Sequence, residues 1–416
     1  MASASFAPLR HRGFALALGS NFVSSTGTWM QSVALGIYLQ STTHNTLWLG
    51  LLTVAAWLPA LIGSPLGGVM ADRYSRQRWI QLNNLAQAAA ASALAVAALT
   101  HHLSAPLACY LAIAEGFCSS ASWAAWQSLL PDLVDQDEVL AAVSLGSAQF
   151  NLGRIIGPAL AAFTLLVGSP GWCFAANAVS FVVVVVAFSF VRTPARPRAT
   201  TPLALLRETR AGLHMAWRTR GCRNAIIAVG TVALFISPFI TLVPAMAIDV
   251  LHSGKVGATW LVTAQGVGAV VGALTLPALA KRTSRLTVLR GSMVAMALAE
   301  GLYAYAPDLV WAALALVVLG GSYVGTLTGL NTSVQLHAPV KERSRILSLY
   351  VLSLSLFYPV GALAQAALAH LFGVRPISLV AAVSFGLVVM TVSVFRPQYW
   401  HHMTMDPSQM VLSVAD

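Results

Sequence analysis

Long apolar runs alternate along this chain with short polar connections that are mostly basic. A helix crossing a bilayer needs about 20 predominantly apolar residues. Twelve stretches meet that length: 14–40, 47–71, 79–100, 104–130, 140–167, 171–191, 224–248, 256–280, 286–305, 309–336, 346–371 and 376–395. The first follows Arg10 and Arg12, as the core of a signal peptide would. Asn21, Ser24, Ser25, Thr28 and Gln31 interrupt it, however, and its length suits an uncleaved span. The pattern predicts an all-α integral membrane protein with twelve transmembrane helices in two six-helix bundles.

Composition supports the bilayer as solvent. Of 416 residues, 57% are hydrophobic and only 9% charged, whereas soluble domains carry roughly 25% charged residues. Four cysteines, Cys109, Cys118, Cys173 and Cys222, show no C-x-x-C and no zinc spacing, so a disulfide scaffold is not expected. The ten histidines fall in tails, loops or span ends, with no metal-ligand arrangement.

The net charge of +11 would suit nucleic acid, but its placement argues otherwise. With the N-terminus inside, inner segments hold 21 of the 24 basic residues. Outer loops hold only Lys255 and Arg375, and Arg154 lies within a span. Positive charge stays on the cytoplasmic side, so both termini are expected there, in a multi-pass protein of the cell inner (plasma) membrane. The partners this implies are the lipid bilayer and no nucleic acid. The expected organisation is a six-helix bundle over 1–192, a basic Pro- and Arg-rich linker over 193–223, a second bundle over 224–396 and a cytoplasmic tail over 397–416.

The halves repeat weakly. The connection between spans 2 and 3 reads Gly68-Val-Met-Ala71-Asp72-Arg73-Tyr-Ser75-Arg76-Gln-Arg78. Between spans 8 and 9, 209 positions on, it reads Pro277-Ala-Leu-Ala280-Lys281-Arg282-Thr-Ser284-Arg285. Ala, Arg, Ser and Arg recur in register. Parallel repeats of this kind are a transporter architecture, with the site near the bilayer midplane between the halves.

The G-x-x-x-D-R-x-x-R-x-R of Gly68, Asp72, Arg73, Arg76 and Arg78 resembles the loop signature of the major facilitator superfamily, with Ser75 where that signature has glycine. A carboxylate at a helix end can pair with arginines or a helix N-terminus in one conformation and lose them in another, which suits an inner gate. Gly153-Arg154-Ile-Ile-Gly157-Pro158 on span 5 resembles the antiporter motif of that superfamily, with Ala161 and Ala162 in place of its final glycine pair. That resemblance implies export. Small residues allow close helix approach and the proline bends the helix. On span 4, where drug antiporters of the superfamily carry L-x-x-x-R, this chain reads Leu111-Ala-Ile-Ala-Glu115. Over residues 10–396 the chain is similar to the enterobactin-exporter and macrolide-efflux branch.

Intramembrane charges are costly unless paired or facing water. Glu115 and Arg154 lie at similar depth and are expected to pair across a cavity, with Glu115 the candidate proton carrier. A static lock between helices is the alternative role for that pair. Polar and aromatic stripes nominate cavity residues: Asn21, Ser25 and Thr28 on span 1, Ser119 and Trp123 on span 4, Asn151 on span 5, Tyr323 and Thr326 on span 10, and Tyr358 on span 11. Glu300 lies in the outer half of span 9, and Asp249 and Asp308 sit at outer ends where water is near; none of the three is given a role.

No H-E-x-x-H, Gly-x-Ser-x-Gly or phosphate-cradling loop occurs, which argues against an enzyme or a primary pump and leaves no cofactor and no metal expected. The expectation is a monomeric secondary transporter working by alternating access, exporting a drug-like or siderophore-like amphipathic organic molecule against protons. An importer of a small organic solute, and a receptor without flux, are the alternatives.

Overall fold

The structure is a computed structural model that describes residues 6–191, 214–339 and 343–404. Most of the expected linker, up to residue 213, lies outside the described residues. Among the described residues every regular element is helical.

Helical segments occupy all twelve expected stretches. They are α1 (Arg12–Thr43), α2a (Thr46–Trp57) and α2b (Ala60–Arg73), α3 (Arg76–Leu99), α4 (Ala105–Leu129), α5 (Val139–Val167), α6 (Pro170–Ser189), α7a (Arg220–Phe235) and α7b (Phe239–Ala245), α8 (Gly254–Arg282), α9 (Arg285–Ala304), α10 (Leu309–His337), α11 (Arg343–Phe372) and α12 (Val374–Phe395). Nine spans among the described residues are long and apolar enough to cross a membrane. The other three, α1, α4 and α9, carry more polar side chains, such as Gln31 and Gln40, Glu115, and Arg290 with Glu300.

Prolines and caps set the boundaries. Pro59 and Pro238 stand at the breaks that split spans 2 and 7, where a proline removes an intrahelical donor. Ser104 and Ser169 cap α4 and α6, each followed by a proline in the first turn. Asp308 caps α10 by accepting from Val310 N at 2.9 Å and Trp311 N at 3.0 Å. The recurring serine of the repeat has the same explanation: Ser75 Oγ accepts from Arg78 N at 3.5 Å to cap α3, and Ser284 Oγ accepts from Thr287 N at 3.0 Å to cap α9. Such caps contribute about 1 kcal/mol. Ser75 has φ −63°, so its turn does not need the glycine of the family signature.

The chain forms two compact units, Met1–Thr43 with Leu51–Leu203, and His44–Gly50 with Ala204–Asp416. Residues 44–50 thus group with the second unit, although the sequence assigns them to the first bundle. His44 Nδ1 lies 2.7 Å from Asp249, and Thr46 Oγ1 donates to Ala366 O at 2.7 Å. Within the first unit α1 packs on α5 and α6, α3 on α4 and α6, and α2b on α4. Within the second, α7a packs on α11, α9 on α10 and α12, and α8 on α10, so most pairings recur. Gly63 and Gly67 bring α2b onto the α4 backbone at Phe117 and Ala121; Gly268 and Gly272 bring α8 onto α10 at Val317 and Gly321. Gly63 and Gly272 are 209 positions apart, the register of the repeat. Part of the expected tail is structured: α13 (Gln398–Thr404) packs on α7a, with Tyr399 OH donating to Asn224 O at 2.6 Å.

Candidate functional site

Of the gate residues, Gly68, Asp72 and Arg73 close α2b, and the Asp72 side chain lies outside the described residues. Arg73 and Arg78 are exposed. Arg76 points back to the foot of α4, donating to Asp132 Oδ2 at 2.5 Å and Ser128 O at 2.7 Å. Both side chains are nearly buried, at 15% and 7% exposure. Asp132 is not among the gate residues expected from the sequence. Gly68 faces open space, since a Cβ built there meets nothing within 4 Å.

The antiporter-like motif meets α1. A Cβ on Gly153 would lie 2.9 Å from Ser25 Cβ and 3.1 Å from Thr26 N. On Gly157 it would lie 2.6 Å from Trp29 Cβ, 2.7 Å from Thr26 O and 2.9 Å from Met30 N. Backbone cannot yield as a flexible side chain can, so both positions require glycine for this helix spacing. Pro158 is buried within α5 beside this contact.

The expected Glu115–Arg154 pair does not form. Gln31 Nε2 donates to Glu115 Oε2 at 2.5 Å, and Asn177 Nδ2 donates to Gln31 Oε1 at 2.9 Å, linking α4, α1 and α6. Ser180 Oγ in turn donates to Asn177 Oδ1 at 3.0 Å. Arg154 instead lies over the Trp29 ring, 5.3 Å from its centroid. Trp29 and Gln31 are two residues apart on α1, hence about 200° apart around its axis. The two charges therefore engage opposite faces of one helix.

Arg154 belongs to an aromatic group that the sequence only partly revealed. Phe150, one turn before it on α5, has its ring centroid 6.2 Å from Trp29 and 5.2 Å from Trp123. Trp123 is 40% exposed, so this group retains accessible surface. Phe150 lies outside the polar stripes that nominate cavity residues; its spacing of four from Arg154 is the signal in the sequence.

The other cavity candidates divide. In the first unit Asn21, Ser25 and Thr28 are half-buried, with Ser25 at the α5 contact, while Ser119 and Asn151 are exposed. Asn151 Nδ2 donates to Ser147 O within its own turn, at 2.8 Å. In the second unit Tyr323 and Thr326 are buried instead of lining an accessible wall. Tyr323 OH lies 3.0 Å from Ser237 Oγ, and Tyr358 OH lies 3.1 Å from Thr241 Oγ1. These tyrosines meet side-chain hydroxyls at the break in span 7, where Ser237 Oγ donates to Val232 O at 3.3 Å. Glu300, given no role from the sequence, is fully buried, and neither carboxyl oxygen has a hydrogen-bond partner among the described residues.

One histidine does sit among acids. His11, Asp135 and Glu138 bring potential ligand atoms within 4.8 Å of one another. Glu138 already accepts from Arg10 at 2.5 Å and lies 2.8 Å from His11 Nε2, so the group fastens the start of α1 to the α4–α5 connection.

The comparisons with known proteins agree with this architecture. The family described as transmembrane secretion effector matches residues 3–413. The enterobactin exporter EntS of Salmonella paratyphi A is 26% identical over 385 residues, covering 91% of this chain and 90% of that protein. The staphyloferrin A transporter of Staphylococcus aureus is 24% identical over 364 residues, covering 85% and 89%. The crystal structure of the nucleoside transporter NupG shares the fold with a TM-score of 0.73 at 13% identity, covering 92% of this chain and 99% of that one. Matched along nearly its whole length, with the loop signature and the α1–α5 glycine contact in place, the chain belongs to the transmembrane secretion effector family of major facilitator superfamily transporters.

Proposed function

We propose that this protein exports an amphipathic, aromatic organic molecule of the siderophore class, driven by protons, through alternating access in the inner membrane. Both termini face the cytoplasm in this reading, and one chain suffices. The observation that carries the substrate class is the group of Trp29, Trp123 and Phe150 with Arg154 over Trp29. These rings meet edge-on or tilted and offer apolar faces to a ligand, and a guanidinium pairs with phenolate or carboxylate oxygens. The siderophore activities named for the two curated relatives support the same class. Glu115 is the proton carrier: it lies within a span, and one of its oxygens has no hydrogen-bond partner among the described residues. Asp72, with Arg73, Arg76 and Arg78, forms the inner gate.

The test is accumulation of catecholate and carboxylate siderophores, dyes and amphipathic drugs in pump-deficient cells, with and without a protonophore. Lower accumulation that the protonophore abolishes is expected for one substrate class. Higher accumulation on expression would make the protein an importer and overturn the reading.

A further inference from the structure

Three arginines gather at one end of the second unit, where α7a begins and α12 gives way to α13. Arg220 opens α7a, Arg223 follows one turn on, and Arg396 comes directly after α12. With Asn224, Ile227, Phe395 and Tyr399 they help line a cavity of about 790 Å³. No carboxylate is among its lining residues, and none of the three arginines forms a salt bridge among the described residues. Two of them sit in the first turn of a helix that has no acid there. The helix dipole already makes that end positive, which disfavours cations and favours a bound anion.

The cavity has a fixed wall and an apolar border. Asn224 Nδ2 donates to Tyr399 O at 3.0 Å, and Tyr399 OH donates back to Asn224 O at 2.6 Å. Ile227 and Phe395, 44% and 78% exposed, stand beside it on helices apolar enough to cross a membrane. An anion-binding hollow that opens along a lipid-facing apolar surface suits a phosphate with acyl chains attached. Basic hollows between spans at the membrane boundary favour anionic headgroups in this way. We propose that this cavity binds the phosphate headgroup of an anionic phospholipid, with Arg220, Arg223 and Arg396 on the phosphate and an acyl chain along Ile227 and Phe395. In the orientation proposed above, the lipid lies in the inner leaflet.

The test uses the full chain in nanodiscs of phosphatidylethanolamine with phosphatidylglycerol or cardiolipin, released into native mass spectrometry. Wild type should retain anionic lipid in preference to phosphatidylethanolamine. The triple variant Arg220→Gln, Arg223→Gln, Arg396→Gln should lose about tenfold or more of that preference, given three charges at the surface. Arg218→Gln, outside the cavity lining, should keep it. Melting in neutral lipid alone, equal for all three proteins, separates loss of binding from misfolding; if the triple variant melts early, the single Arg396→Gln variant is read instead, with an intermediate loss expected. Equal retention of anionic and neutral lipid by wild type, or equal loss in Arg218→Gln, overturns the proposal. Displacement of the lipid by millimolar inorganic phosphate would assign the hollow to a soluble anion and overturn the lipid.

Discussion

Gln31 holds Glu115 by its amide nitrogen, at 2.5 Å, and accepts from Asn177 through its amide oxygen, at 2.9 Å. The Gln31 amide thus orients the carboxyl group from α1, while Glu115 Oε1 has no hydrogen-bond partner among the described residues. Glu115→Gln keeps the volume and a hydrogen-bonding carbonyl. The expected outcome is a protein that melts within about 4 °C of wild type, the shift of about 1 kcal/mol in a domain of 150–250 residues. Its transport should no longer respond to pH or to a protonophore. Full, pH-dependent transport by this variant would end the proton role of Glu115.

Arg76 and Asp132 form a different kind of pair. Both are nearly buried, and Arg76 also donates to Ser128 O at 2.7 Å. Removing one partner of a buried pair costs about 3–5 kcal/mol, because the other charge stays behind. Asp132→Asn and Arg76→Gln should each lower the melting midpoint in detergent and the amount of protein in the membrane. A double variant removing both charges should be less destabilised than the sum of the singles. Additive losses would mean that the two residues do not act as a pair.

Glycines of two motifs are expected to behave oppositely. Gly157→Val would drive a side chain into Trp29 and the α1 backbone. It should abolish stable expression or push α5 away from α1, costing more than the 1–3 kcal/mol of ordinary overpacking. Gly68→Ala meets open space and replaces a helical glycine, so stability should rise by up to about 1 kcal/mol. Slower transport from that better-folded variant would place the close approach at Gly68 in another conformation of the cycle. Unfolding curves paired with flux assays on both variants separate these effects.

The helices were legible because a span advertises itself by length and hydropathy, whereas the serine caps that set several ends are seen only in the structure. Ser75 and Ser284 stood out as a repeat before their role as caps was visible. What escaped the sequence was direction around a helix axis. Glu115 and Arg154 share a depth, but depth does not say which face of α1 each meets. Trp29 and Gln31 take them separately. The burial of Glu300 was hidden for the complementary reason: one turn from the end of α9, it is sealed by packing that only tertiary structure defines. Gly63 and Gly272 carry the close α2b–α4 and α8–α10 contacts, yet a glycine within a span gives a weak signal until a backbone is seen opposite it.

Arg154 offers the sharpest test of substrate recognition. Its guanidinium is flat, so it can stack on Trp29 and still direct donors at an oxygen anion, whereas a lysine is a strongly hydrated point charge. Arg154→Lys should therefore retain the charge but lose the stacking, weakening apparent affinity for an anionic aromatic substrate. Arg154→Gln should lose both. Trp29→Phe should fall between wild type and Trp29→Ala, since cation–π attraction is strongest for the indole and is about 0.5–1 kcal/mol at exposed sites, reaching about 2 when desolvated. Those energies correspond to roughly 2- to 30-fold changes in apparent affinity. Vesicle transport measured over a range of substrate concentrations gives the order directly. If Arg154→Lys matches wild type while Trp29→Ala does not, the rings alone recognise the substrate and the guanidinium is dispensable.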